Sequence, residues 1–284
     1  MLQKSCLDDV SLLSLLRDDV PLGDLTTHSL GIDAVKGRAV FFARQPMRVC
    51  GSEEAVRLFE LAGAEAEVHR CSGTFATEGT ELLRAEGSAA ALHLAWKTAQ
   101  TLMEYVSGIA STAAAIVGAL HEAGYSVPVA CTRKNFPGTK ALAVKAVLSG
   151  GAVMHRLGLS ETLLVFPEHR VFLPAEAAAQ RISALRESCP EKKLVAEAAT
   201  VAEAVFLARC GVEVLQLEKF TPERVDECRS VLEAEGLAPL LAAAGGVNLG
   251  NAVAYAQAGA RLLVTSAPYF SRPADVKVQI SMPH

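Results

Sequence analysis

From residue 127 onward, short runs of almost purely apolar residues recur, and each is followed by a stretch with helical periodicity. The strand-like runs cover 127–131, 163–165, 194–196, 214–217, 240–243 and 262–264; the helical stretches cover 140–148, 175–186, 201–210, 222–235 and 248–257. A strand that is apolar at every position is buried on both faces, and alternation with helices supplies the cover. The pattern predicts a parallel sheet wrapped by helices. Six or so such units either close into a barrel or lie open as a doubly wound sheet. No glycine-rich dinucleotide fingerprint and no P-loop follows any of the strands, which argues against dinucleotide and NTPase chemistry.

The earlier part mixes element types. Leu7, Val10, Leu12, Leu13, Leu15 and Leu16 line a short helix that ends before Pro21. A strand is expected over 37–44, then a helix capped by Ser52 and running to Leu61, with Gly63 marking its end. Two short strands follow near 66–70 and 81–85. A long helix is predicted over 89–120, with Gly108 as a bend or a point of close packing. At 284 residues and 51% hydrophobic content, the chain can bury a sizeable core in one large domain or two modest ones. A net charge of −4 and an aromatic content of 5% exclude a broad basic field and a base-stacking platform, so no nucleic-acid partner is expected. The seven cysteines are scattered with no zinc spacing and read as reduced thiols of a cytoplasmic protein. The first twenty residues carry acidic side chains through their apolar stretch, unlike a signal peptide, and the most apolar helical segment, 109–120, is too short to span a bilayer. No membrane partner is expected.

Polar residues fall where the strands end. Thr132, Arg133 and Lys134 follow the first run, Glu197 ends the third, Glu218 and Lys219 the fourth, Gly245 and Gly246 the fifth, and Thr265 and Ser266 the sixth. Parallel α/β folds bind ligands at the carboxyl ends of their strands, so these groups are expected at one mouth. Arg133, Lys134, Lys140, His155 and Arg156 form a cationic set suited to carboxylate or phosphate. Glu197 and Glu218 form an acidic set that, beside phosphate-binding cations, suits Mg²⁺. The two glycines lie between a strand and an expected helix start, where backbone N–H groups can approach a phosphate. Taken singly, the same residues also read as a solvated turn, a core histidine, an exposed carboxylate, a helix-leading charge pair and a tight turn.

Several segments make the chain similar to a known family. TRKNFPGTK (132–140), GGAVMHRLGLSE (150–161), VAEAAT (195–200), LQLEKF (215–220), AAGGV (243–247), DVPLGDLTT (19–27) and VSGIAST (106–112) resemble the quinolinate phosphoribosyltransferases, or nicotinate-nucleotide pyrophosphorylases. The variants look like the ModD branch, pyrophosphorylases associated with molybdenum transport. The resemblance implies an N-terminal α/β sandwich domain over 1–110, completed by 272–284, and an open-sided parallel α/β barrel over 111–271. It implies a homodimer with shared sites, with dimer and hexamer both open.

It also implies roles. Thr132, Arg133, His155 and Arg156 would surround the carboxylates of an aromatic acid, and Lys134 would hold phosphoribosyl pyrophosphate. Glu197 and Glu218 would serve the ribose hydroxyls and Mg²⁺, Gly245 and Gly246 would receive the 5′-phosphate, and Lys97 would reach the site from the partner subunit. The sequence departs from the family pattern at several of these positions. Lys97 and Lys140 stand for arginines, Phe166 for a lysine, Glu218 for an aspartate and Lys219 for an asparagine. Ala244 stands for a serine and Ser266 for a glycine. Charge is kept on the phosphate side and lost at Phe166, so the expectation is a Mg²⁺-dependent phosphoribosyltransferase with an altered acceptor pocket. Two rivals are a lyase using Lys134 or Lys219 as a Schiff base, and a non-catalytic protein of molybdenum handling.

Overall fold

The computed structural model describes residues 3–174 and 177–282. In chain order the first elements are α1 (Asp9–Asp19), α2 (Leu25–Ser29), β1 (Lys36–Ala43), β2 (Met47–Arg48), α3 (Ser52–Leu61), β3 (Glu65–Val68), β4 (Phe75–Ala76), β5 (Glu81–Ser88) and α4 (Ala89–Glu122). Then come β6 (Val129–Cys131), α5 (Lys140–Ser149), β7 (Val153–Met154), β8 (Leu163–Val165), α6 (Pro167–Arg170), α7 (Ala178–Ser188), β9 (Leu194–Ala198) and α8 (Val201–Arg209). The last are β10 (Val214–Glu218), α9 (Pro222–Ala234), β11 (Leu240–Ala244), α10 (Ala252–Gln257), β12 (Leu262–Thr265) and β13 (Val276–Ser281). The helix expected over 175–186 starts on two residues that lie outside the described ones. Contacts group the chain into two compact units. One contains the described residues up to Ala114, Asn135–Gly151 and those from Pro268 onward; the other contains Ala115–Lys134 and Ala152–Ala267.

The first unit is built on an antiparallel sheet in the order β13-β1-β5-β3. Along β1, alternate residues Ala39, Phe41 and Ala43 turn inward, the period of a sheet with one covered face. They share a core with Leu12 and Leu16 of α1, Leu58 and Phe59 of α3, and Leu92, Ala95, Ala99 and Met103 of α4. Phe41 and Phe59 meet edge to face at 5.7 Å. The last strand is tied to α4 by the Gln100 side-chain amide on the Val276 carbonyl, 2.7 Å, and the Ala274 amide on the Glu104 carbonyl, 2.8 Å. Gly108 is a point of close packing: a Cβ there would collide with the Arg272 carbonyl oxygen. By length and composition, the 34-residue α4 could cross a membrane. Its inward stripe, however, contributes to this unit's core.

The alternating pattern reads the 140–148 helix as cover for the barrel. Instead, α5 packs in the first unit, where Ala146 joins the core. The Lys145 ammonium lies 2.7 Å from both Glu54 oxygens and 2.9 Å from Glu53. Lys145 is 4% exposed and Glu54 0%, so this ion cluster ties α5 to α3 and can be satisfied nowhere else.

The second unit holds seven parallel strands in the order β7-β6-β12-β11-β10-β9-β8. The first and last in sequence, β6 and β12, pair; β7 and β8 do not, and the barrel is open between them. Sequence reading missed β7, because a two-residue strand carries no period. Leu164, Val195, Val214, Ala242, Ala244 and Val264 form the apolar interior, with Phe166 packed against it. In β10, Leu215 and Leu217 are fully buried on the opposite face. Strands apolar on both faces are thus explained by an interior on one side and helices on the other.

Candidate active site

Within the second unit the expected residues stand at strand carboxyl ends. Thr132, Arg133 and Lys134 follow β6, His155 and Arg156 follow β7, and Phe166 follows β8. Glu197 is the penultimate residue of β9, Glu218 ends β10, Ala244 ends β11 with Gly245 and Gly246 next, and Ser266 follows β12. Parallel strands in register bring these ends to one rim. Lys97 and Lys140 belong to the first unit. Lys97 is exposed, 4.9 Å from the Trp96 ring centre and 3.2 Å from the Gln100 side-chain oxygen.

Arg133, Lys134 and Arg156 are the cations of the rim. Arg156 is 6% exposed, its guanidinium 5.7 Å from the Phe166 ring centre. Burial, and then the nearby Arg133, hold it below the usual arginine range. Among the described residues neither Arg133, Lys134 nor Arg156 has a carboxylate within ion-pair distance. A buried arginine beside a second arginine is a poor arrangement unless an anion completes it. His155 is half-buried, its amide on the Cys131 carbonyl at 2.8 Å. Burial, and then Arg156, push its imidazole below the ordinary histidine range. At neutral pH it is therefore a neutral hydrogen-bonding group rather than the cation the sequence suggests. Phe166 donates its amide to His169 Nδ1 at 2.9 Å, and the two rings stack at 5.8 Å.

The acidic side of the rim is equally distinct. Gln216, 6% exposed in the middle of β10, donates its side-chain amide to Glu197 Oε2 at 2.8 Å. Register places Gln216 opposite Glu197. Burial, and then the Glu218 charge, raise the Glu197 carboxyl above its ordinary range, against the Gln216 hydrogen bond. Arg170, on α6, reaches the Glu197 carbonyl at 3.3 Å and Glu203 at 3.5 Å. Sequence reading missed Gln216 and Arg170. Gln216 did carry a signal: strand alternation puts 216 on the same face as 218, so a glutamine in an otherwise apolar run points inward with Glu218.

Gly245 and Gly246 have φ of +80° and +110°. A Cβ on Gly245 would lie 2.6 Å from Glu218 Oε1 and 2.8 Å from the Lys219 amide nitrogen, whereas one on Gly246 would meet nothing within 4 Å. Glycine is required at 245 by contact as well as by conformation. The helix expected from Asn248 starts four residues later. Asn248 and Asn251 side chains each donate to the Gly246 carbonyl at 3.0 Å, and α10 begins only at Ala252. Two polar side chains hold the loop closed where a helix start was expected. Thr265 is buried and donates to the Val247 carbonyl at 2.6 Å. Lys134 and Lys219 are both exposed, unlike the desolvated lysine that a Schiff-base mechanism uses.

A half-open parallel barrel whose rim carries Arg133, Lys134 and Arg156 beside Glu197 and Glu218 defines a protein of the α/β-barrel class. The chain belongs to the quinolinate phosphoribosyl transferase family, whose C-terminal domain matches residues 109–279 and whose N-terminal domain matches residues 24–107. The Rhodobacter capsulatus protein named "Putative pyrophosphorylase ModD" is 49% identical over 90% of this chain and 98% of its own length. The protein of the same name from Escherichia coli O157:H7 is 40% identical over 94% of both chains. The solved nicotinate-nucleotide pyrophosphorylase of Francisella tularensis has the same fold. Its TM-score is 0.86 at 20% identity, covering 96% of this chain and 95% of that one.

Proposed function

We propose that the protein transfers ribose 5-phosphate from phosphoribosyl pyrophosphate to the ring nitrogen of quinolinate or a related aromatic acid, releasing pyrophosphate. The observation that carries this reading is the buried Arg156 beside Arg133, without an internal counter-ion, on the same rim as Glu197 and Glu218. Arg133, Arg156, Thr132 and His155 bind the acid. Lys134 holds the donor, Gly245 and Gly246 take its 5′-phosphate, and Ala244 and Ser266 line the approach. Lys97 adds charge from the second subunit of a homodimer. The carboxylates of Glu197 and Glu218 orient the ribose hydroxyls and stabilise the cationic character of the sugar as pyrophosphate departs.

Mg²⁺ fits this donor set. The Glu197 carboxylate is destabilised by burial and by its neighbour Glu218, and among the described residues its hydrogen-bond partner is the neutral Gln216 side chain. Among the described residues no group of three or more His, Cys, Asp or Glu side chains could hold a metal. Two carboxylates with substrate oxygens and water match the way Mg²⁺ is bound. When bound, it would offset the charge of the leaving pyrophosphate.

Phe166 narrows the acceptor. Its ring, between Arg156 and His169, is apolar and cannot neutralise a second carboxylate. The absent charge is worth about a hundredfold or more in affinity for a dicarboxylate. The test is Mg²⁺-dependent pyrophosphate release from phosphoribosyl pyrophosphate with quinolinate and then with aromatic monoacids, with Glu197→Ala as control. Acceptor-dependent release that the variant loses, at an unchanged melting temperature, is expected. A wild-type protein that releases none with any of these acids would overturn the proposal.

A further inference from the structure

Among the described residues, the one non-glycine with a positive φ is Lys219, at +56°. A long unbranched side chain has no local hydrogen bond to offset that conformation, so the surrounding structure must impose it. The page shows how. The Lys219 amide donates to the Ala244 carbonyl at 2.8 Å, continuing the β10–β11 ladder one residue beyond Glu218. The buried Tyr255 hydroxyl donates to the Phe220 carbonyl at 2.8 Å, and the Arg224 guanidinium lies over the Phe220 ring at 4.4 Å. Both sides of Lys219 are therefore clamped, and the backbone sets the direction in which its Cα–Cβ bond leaves the strand end.

That direction runs past the glycine turn. Lys219 Cγ lies 2.8 Å from the point a Cβ on Gly245 would occupy, and the space beside Gly246 is open. The ammonium is exposed and, among the described residues, has no ion-pair or hydrogen-bond partner. An exposed lysine that only fills a turn has no need of a strained backbone, because asparagine or glycine takes that conformation at lower cost. We propose that Lys219 is a phosphate-binding residue: its ammonium closes the Gly245–Gly246 turn over the 5′-phosphomonoester of the donor. This rests on the phosphoribosyl reading of the site and adds a cation to it that the sequence comparison treats as a replaced asparagine.

The experiment is calorimetric titration of phosphoribosyl pyrophosphate, and separately of pyrophosphate, into wild type, Lys219→Asn and Lys219→Arg with Mg²⁺ present. Asparagine accepts the left-handed conformation, so Lys219→Asn folds and is expected to melt slightly higher than wild type. Its affinity for phosphoribosyl pyrophosphate should fall about tenfold or more, the worth of one charge-assisted hydrogen bond, while pyrophosphate binding stays unchanged. Lys219→Arg should bind the donor within about threefold of wild type, by keeping the charge. Equal donor affinity in Lys219→Asn and wild type would overturn the proposal and leave the phosphoribosyl reading standing. Equal losses for both ligands would also overturn it, by moving the ammonium to the pyrophosphate end. A wild type that binds neither ligand would overturn the phosphoribosyl reading itself, and this inference with it.

Discussion

Replacing Gln216 by leucine removes the one hydrogen bond that a described side chain makes to the Glu197 carboxylate, 2.8 Å long and donated by a side chain 6% exposed. The glutamine amide stabilises the ionised carboxylate, while burial and the Glu218 charge act the other way and prevail. A hydrogen bond to a charged group is worth about 1.5–3 kcal/mol. Glu197 is only half-buried, so the lower end applies, about 1.5 kcal/mol, or roughly a tenfold rise in the protonated-to-ionised ratio at any given pH. Leucine is close to glutamine in size and faces an apolar interior of Val195, Val214, Ala242 and Val264, so the fold should tolerate it. The assay is the pH dependence of kcat/KM for pyrophosphate release. The acid limb should move toward neutral pH in Gln216→Leu, and activity at the alkaline end should approach that of wild type. An acid limb that stays in place while kcat falls uniformly would refute the reasoning, since Gln216 would then act by shape and not through the ionisation of Glu197.

Because the folded-state pKa of Glu197 is raised, ionisation costs stability: its contribution is whole below the unfolded pKa and lost as pH rises through the folded one. Glu197→Gln should therefore melt about 1–3 °C higher at pH 7, with the difference vanishing in acid, while turnover drops on the order of a hundredfold or more; calorimetry and turnover assays check the two halves. Gly245→Ala adds left-handed strain of about 1–2 kcal/mol to an overlap of about 1–3 kcal/mol with Glu218 and the Lys219 backbone. A melting point roughly 4–10 °C lower follows, against a smaller drop for Gly246→Ala, which meets no neighbour. Lys145→Met strands Glu53 and Glu54 in the core and should cost about 3–5 kcal/mol at neutral pH by denaturant titration. Burial would raise Glu53, but Ser72 and Lys145 hold it lowered; burial would lower Lys145, but Glu54 and Glu53 hold it raised. Glu53 and Lys145 thus stabilise from above the ordinary glutamate range up to the lysine range, and the deficit of Lys145→Met should shrink as acid protonates Glu53. Mixing inactive Lys97→Ala and Glu197→Ala proteins should restore up to about a quarter of wild-type activity if the sites are shared across a homodimer; no recovery after subunit exchange would exclude that sharing.

Much of the barrel was legible in the chain. Runs such as VLQL and LLAA are too apolar to face water on either side, so a parallel sheet with helical cover is nearly forced, and polar residues at five strand ends mark the ligand side before any coordinates exist. The errors have a common origin. Helix α5 has the right period and the right place in the alternation for a barrel helix, yet Lys145 finds its counter-ions on α3, some ninety residues earlier. Strand β7 is two residues long, and its only mark is pairing with β6. His155 reads as a cation from composition but is neutral from burial and from Arg156. Gln216 lies inside an expected strand and drew no functional reading, yet it holds Glu197.

By itself, then, the sequence determined most element types, a parallel sheet under helical cover and the residues at the strand ends, because period and hydrophobic pattern are local properties that a strand or helix expresses wherever it lies. Only the tertiary structure decided which unit claims α5, that the barrel stays open between β7 and β8, which charges go uncompensated at the rim, and that Lys219 is held left-handed against Gly245. Those depend on distances between residues remote in the chain, and electrostatic and steric energies are set by such distances rather than by order along the backbone.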